Sequence, residues 1–304
     1  MKPEVPDAVV VPPPSGWRIW WMAARPRTLT IALAPVMVGS AAAWGQGASP
    51  SWPTFLATLL AATSIQVGTN LHNDAADHQF GNDLADRIGP LRITAAGWAS
   101  AAAVRRAAVT AFAVALLIGI YLVAVGGWPI LVVGLAALAA GAAYSGGPRP
   151  ISHTPFGELF VWLFFGLLAV AGSYWLQART LHAAALLAGA AVGGPAAAVL
   201  MVNNIRDRSA DLRAGRRTLA GLISPAASLD VYALLMLAPY AVLPLLALLG
   251  RSGVLAAMLA LPASLLLVKR LRNAEVGPGL NPLLVRTAQC GLGFGLLLAV
   301  GFLV

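Results

Sequence analysis

Apolar runs of about twenty residues, separated by short polar stretches, follow one another along almost the whole chain. They cover residues 28 to 45, 53 to 71, 107 to 126, 128 to 144, 156 to 175, 181 to 203, 231 to 250, 252 to 268 and 282 to 304. Each is near the roughly 17 to 25 residues that a helix needs to cross the hydrocarbon core. Ten-residue apolar/polar alternation is missing from all of them, which excludes barrel strands, and lipid-embedded backbone must then be helical. The pattern predicts an all-α membrane protein with about nine transmembrane helices. Residues 1 to 27 stand apart: they hold six prolines and little apolar surface, and read as a tail leading into an interfacial stretch. Trp17, Trp20 and Trp21 beside Arg18 and Arg25 suit the headgroup region. The basic flank and apolar run from Arg25 to Gly45 also fit a signal peptide, but the run continues a multi-span pattern and contains Pro35. The organisation expected is therefore a tail over 1 to 27 and a transmembrane domain over 28 to 304.

Composition agrees: the 304 residues are 59% hydrophobic and only 10% charged, with a mean hydropathy of +0.79. In a soluble domain charged residues approach a quarter of the total, so much of the apolar surface here must face lipid. A formal charge of +9 raises the possibility of nucleic acid, yet no basic helix or aromatic-basic module is present. Topology accounts for the charge better. With the N-terminus in the cytoplasm, 18 of the 20 basic residues fall on the cytoplasmic side, and only Arg179 and Arg251 fall outside. The lone cysteine, Cys290, allows no intrachain disulfide and no zinc pattern, and reads as a packed helix residue.

Six of the eleven acids sit in two segments, after the second span and after the sixth: Asp74, Asp77, Asp83 and Asp86, then Asp207 and Asp211. Both segments lie on the cytoplasmic side. Asp74 and Asp77 are spaced i,i+3 and Asp207 and Asp211 i,i+4, so on a continuing helix each pair projects from one face. An unpaired aspartate costs about 2.5 to 3.5 kcal/mol at the centre of a membrane helix, so clustered carboxylates at helix mouths call for a counter-charge. Magnesium, which takes oxygen ligands together with substrate phosphates, is one candidate. Pairing with Arg87, Arg92, Arg206 and Arg208 is the alternative. Recurrence favours a function, because each cluster follows asparagines (Asn70 and Asn73; Asn203 and Asn204) and precedes a glycine-containing basic stretch.

The strings NLHNDAADHQFGNDLADRIGPLR, from Asn70, and VNNIRDRSADLRAGRRTLA, from Val202, resemble the two aspartate-rich motifs of the UbiA superfamily of intramembrane prenyltransferases. Further matches are ARPRTLTIALAP from Ala24, YSGGPRPISHTPFGELFVWLFFG from Tyr144 and LNPLLVRTA from Leu280. DRIGPLR and NNIRD are most similar to the branch that prenylates dihydroxynaphthoate on the way to menaquinone. The resemblance implies a bundle around a central cavity, capped on the cytoplasmic side by the motif loops. It implies Asp74, Asp77, Asp207 and Asp211 as catalytic, magnesium-holding residues. It further implies Asn70, Asn73, Asp83 and Asn204 as motif residues that bind substrate, and Arg87, Arg92, Arg149 and Arg206 are candidate phosphate contacts on the chemistry of the guanidinium group. Many members carry an aspartate four residues after the position of Asp77, where this chain has Gly81 and, two residues on, Asp83.

The implied substrates are a prenyl diphosphate, with its tail in membrane lipid, and an aromatic acid. Charge gathering on the departing diphosphate needs fixed cations in a water-poor site. Guanidinium groups suit phosphate oxygens better than ammonium groups do. His72 and His78 fit either a base or a solvated loop, Glu158 either an acceptor contact or a helix cap, and Tyr144, Tyr174 and Trp175 either cavity lining or interface anchors. Acceptors such as 4-hydroxybenzoate or homogentisate remain open. So do a transporter and a non-catalytic lipid-binding relative; charge at one mouth, away from the midplane, and intact aspartates in both segments weigh against these two.

Overall fold

The computed structural model describes residue 14, residues 16–79 and residues 88–304. Among these, regular structure is entirely helical. A short helix α1 (Trp17–Ala24) and a 3-10 turn (Pro26–Thr28) lead into α2 (Thr30–Gly45). Then come α3 (Trp52–Gln79), α4 (Ala101–Gly126), α5 (Trp128–Ser145), α6 (Gly157–Ala178), α7 (Ala183–Arg213), α8 (Pro225–Leu248), α9 (Ser252–Arg272) and α10 (Leu280–Leu303).

Each of the nine expected spans coincides with one of the helices from α2 to α10. Seven of them, α4 to α10, are long and apolar enough to cross a membrane, and the bent pair of α1 with its turn and α2, angled by 53°, makes eight if taken as one span. The helix left over is α3. Its 28 residues are long enough, but Thr54, Thr58, Gln66, Asn70, Asn73, Asp74 and Asp77 interrupt its apolar character. Those residues face protein rather than lipid, which is where polar side chains inside a bundle belong.

Local sequence explains the helix ends. Ser100 caps α4 by accepting from the Ala103 N–H at 3.2 Å, and Ser224 caps α8 through Ala227 at 3.1 Å with Pro225 in the first turn. Helix α7 is central: 78% of its most apolar stretch is buried, against 11 to 39% for the other six candidate spans. It achieves this with small residues. A Cβ on Gly166 of α6 would stand 2.6 Å from the Gly189 carbonyl oxygen and 2.7 Å from the Gly193 Cα, so the two helices meet backbone to backbone. At this seam, Trp162–Leu168 of α6 adopts a π turn, a device that recurs at functional sites. Outward faces carry Leu117, Trp128, Leu248 and Leu259, all exposed, as lipid contact requires.

Two buried clusters support the functional end. Ala23, Leu71, Ala75, Ile93, Val104 and Ala108 lie under the first acid segment. Met201, Val202, Ile205, Tyr232, Met236, Leu271 and Leu280 lie under the second. Helix α1 packs on α3, so the tryptophan-rich stretch is joined to the bundle.

Candidate active site

The last turns of α3 carry Asp74 and Asp77 on continuous helix, which runs eight residues beyond the end marked by hydropathy. Asn70 donates from Nδ2 to the Ala24 carbonyl at 2.9 Å and so fastens the end of α1. Asn73 donates to the Ser145 hydroxyl at the end of α5 at 2.9 Å, while its Oδ1 accepts from Nη2 of Arg25 and of Arg92, both at 3.3 Å. The aspartates that follow serve different partners. Asp74 is buried and accepts from the backbone N–H groups of Ile93 at 3.1 Å and Thr94 at 3.2 Å, and from the Thr94 hydroxyl. Its charge thus fastens the returning chain to α3. Asp77, also buried, is ion-paired through one oxygen to Arg92 and through the other to Arg216. The two carboxylates expected to grip one cation are therefore divided, one to backbone and one to arginines. Asp83 and Arg87, expected in the same segment, lie outside the described residues.

The second segment rides on α7, which continues to Arg213. Arg206 grips Asp207 with two hydrogen bonds, Nε to Oδ1 at 2.8 Å and Nη2 to Oδ2 at 2.6 Å. It also donates to Asn203 and to Asn281 of α10, each at 2.7 Å. Asn204 donates to the buried Glu158 of α6 at 2.8 Å. One turn on, Asp211 faces Arg216, whose Nη1 lies 3.4 Å from its Oδ1. The reversal that permits this is the helix end itself. Gly215 holds φ +73°, a left-handed conformation natural to glycine, and the Arg216 N–H returns to the Asp211 carbonyl at 2.8 Å. The next N–H, of Arg217, bonds the His153 carbonyl at 3.0 Å. Burial, and then the neighbouring Arg216 charge, hold the His153 imidazole below its usual pKa.

Both segments open on one cavity of about 1150 Å³, enclosed by α1 to α7 and α10. Its polar end presents Arg25, Asn73, Arg92, Asp207, Asp211 and Arg216. The remainder is apolar, with α4, α5 and α6 contributing Leu116, Ile120, Leu131, Phe160, Phe164 and Phe165. Tyr144 and Asn204 also line it, whereas Arg149 is exposed and outside the lining. The expected phosphate contact from Arg149 is thus not brought to the site. Tyr174 and Trp175 also lie off the cavity: Tyr174 is buried against Gln46 at 3.1 Å and Trp175 donates to the Gly126 carbonyl at 2.8 Å.

Sequence reasoning missed two residues of the polar end. Arg25 reads as an interfacial anchor, yet it reaches Asn73 and holds φ 55°, which costs a residue other than glycine roughly 1–2 kcal/mol. Arg216 reads as a topogenic loop charge. Its signal was the glycine before it, four residues past Asp211, which ends the helix and turns the chain back. Among the described residues no three His, Cys, Asp or Glu side chains gather into a metal cage. Asp207 and Asp211 line the polar end, while Asp77, buried and outside the lining, is joined to it through Arg92 and Arg216. This suits a hard divalent cation that completes its shell with phosphate oxygens and water.

Comparisons with known proteins agree with this arrangement. Over 296 residues the chain is 35% identical to the 1,4-dihydroxy-2-naphthoate octaprenyltransferase of Escherichia coli, covering 94% of this chain and 96% of that one. The protein of the same name from Mycobacterium tuberculosis is 34% identical over 280 residues, covering 92% and 95%. In fold, the chain is similar to a UbiA homolog from Archaeoglobus fulgidus bound to DMAPP and Mg2+, with a TM-score of 0.66 over 92% of this chain and 99% of that one at 18% identity. The profile of the UbiA prenyltransferase family matches residues 32–276, a stretch that contains both acid segments and most of the cavity wall. With helices, acid segments and sequence all in agreement, the chain belongs to the UbiA prenyltransferase family.

Proposed function

We propose that this protein transfers a polyprenyl group from an allylic diphosphate to 1,4-dihydroxy-2-naphthoate, with loss of carbon dioxide, in menaquinone synthesis. The observation that carries the reading is the cavity: one end combines the acids of the second segment with asparagine and arginine side chains of both, and the rest is an apolar chamber. Relatives at 30 to 35% identity over nearly their whole length carry the naphthoate octaprenyltransferase name, which supports this acceptor.

In this reading Asp207 and Asp211, with Asp77 behind Arg92 and Arg216, would hold Mg2+, and Asp74 keeps the Arg92 segment in place. When bound, the metal neutralises the charge that gathers on the leaving diphosphate. Arg92 and Arg216 add guanidinium donors at the same end, and Asn73 aims Arg92. Arg206, with all three of its nitrogens bonded, braces Asp207 and α10. Phe160, Phe164 and Phe165 keep water from the allylic carbon as its bond to the diphosphate oxygen breaks. The ring carbon bearing the carboxylate attacks that carbon. The carbon–carboxylate bond then breaks, carbon dioxide leaves, and its electron pair restores the aromatic ring. The product is demethylmenaquinol, recovered as demethylmenaquinone after oxidation.

The anionic ring arrives from water and the donor tail from lipid, so the polar end faces the cytoplasm, as the arginine distribution suggests. Membrane vesicles test both points. Inverted vesicles should convert 1,4-dihydroxy-2-naphthoate without permeabilisation and right-side-out vesicles only after it. Conversion of 4-hydroxybenzoate should be about ten- to two-hundred-fold poorer, because a monocycle fills the ring pocket incompletely. Equal rates with both acids would remove the naphthoate assignment while leaving the prenyltransferase one.

A further inference from the structure

The acids of the two segments are already matched by cations, but the cations are held in different ways. Arg206 is fixed: Nε, Nη1 and Nη2 all donate to protein oxygens on α7 and α10, and the residue is buried. Arg216 is not. Its Nε is buried without a hydrogen-bond partner, and its side chain is held through its terminal nitrogens by two carboxylates. One of these is Asp77 of α3 and the other Asp211 of α7. Arg216 therefore joins an acid of the first segment directly to an acid of the second. Its backbone is anchored beyond the end of α7 by Gly215 and by the bond to the Asp211 carbonyl. The residue is tethered while its guanidinium remains exchangeable.

We infer that Arg216 is a built-in counter-ion shared by Asp77 and Asp211, which must leave both for a divalent cation to bind. The inference rests on the reading that these two carboxylates hold the metal. Its consequence is an order of loading. A dication entering alone would meet a guanidinium on the oxygens it needs, and the two cations repel. A dication arriving with a diphosphate brings the anion onto which Arg216 transfers, its unpartnered Nε–H included. Metal then binds weakly until the diphosphate is present, and the acid pair stays neutralised between turnovers.

The test is Mn2+ binding to the purified full-length protein, followed by loss of the free-ion paramagnetic resonance signal, with and without inorganic pyrophosphate. Without pyrophosphate, Arg216→Gln should bind Mn2+ about tenfold or more tightly than wild type. Arg216→Lys, which restores the charge, should return to weak binding. Wild type should gain affinity when pyrophosphate is added, and Arg216→Gln should gain much less. A merely structural role for Arg216 would not invert the order of affinities, and size exclusion in detergent establishes that each variant is folded. If Arg216→Gln does not survive extraction, the wild-type gain with pyrophosphate set against that of Arg216→Lys decides, the lysine retaining a gain within about threefold of wild type. The inference is overturned if Arg216→Gln binds Mn2+ no more tightly than wild type, or if wild type binds equally well without pyrophosphate. Absence of Mn2+ binding in every protein, with pyrophosphate present, would overturn the metal–diphosphate reading itself.

Discussion

Asp74 and Asp77 are one helical turn apart, alike in sequence and equally buried, and they differ in what their charge holds. Asp74 satisfies two backbone N–H groups and a hydroxyl. Without it, each buried donor costs about 1–3 kcal/mol. Asp74→Ala should lower the detergent melting temperature, and no added anion should restore it. Asp77→Asn instead leaves Arg92 and Arg216 short of a negative partner at the cavity, so pyrophosphate should raise its melting temperature more than it raises that of wild type. Equal responses to pyrophosphate would contradict the division of roles. The sequence made both aspartates visible as an i,i+3 pair and could not separate them. The difference lies in Ile93 and Thr94, some twenty residues away, and in Arg216, just beyond the end of another helix. Arg25 was hidden for a similar reason: its position depends on a left-handed turn that no residue type announces.

At the scale of helices, hydropathy located all nine but stopped short at the ones that matter most. It ends the second and sixth spans at residues 71 and 203, while α3 and α7 run to Gln79 and Arg213. A helix that turns its last polar turns toward a cavity loses its apolar signature there and keeps its hydrogen bonds. The close seam between α6 and α7 left a clearer trace in Gly189 and Gly193, small residues four apart. Gly193→Leu would force a side chain against the Trp162 carbonyl oxygen, which a bare Cβ would already approach to 2.7 Å. Overpacking of this kind costs about 1–3 kcal/mol or more. The variant should melt earlier and lose activity, because α7 carries Asp207 and Asp211. Gly293→Ala on α10, where a Cβ meets nothing within 4 Å, is the control and should melt like wild type. Similar melting for both variants would remove the seam from the account.

Across the molecule, the acid segments are separated by more than a hundred residues and brought together by a plain geometric fact. Alternating spans place the C-terminal ends of α3, α5 and α7 with the N-terminal ends of α2, α4, α6 and α10, so one end of the bundle collects every polar segment of the site. That much follows from counting spans in the sequence. The arginine that joins the two segments does not, nor does the chamber beneath them. In the proposed mechanism both segments act on one diphosphate through shared metal. Bare affinity would mislead, since each Asp→Asn change frees an arginine for the anion. The decisive quantity is the gain in affinity for a non-hydrolysable prenyl diphosphate analogue when Mg2+ is added, measured by calorimetry on wild type, Asp77→Asn and Asp211→Asn. Wild type should gain about tenfold or more, and either substitution alone should abolish the gain. A full Mg2+-dependent gain surviving in either variant would contradict a single site built from both.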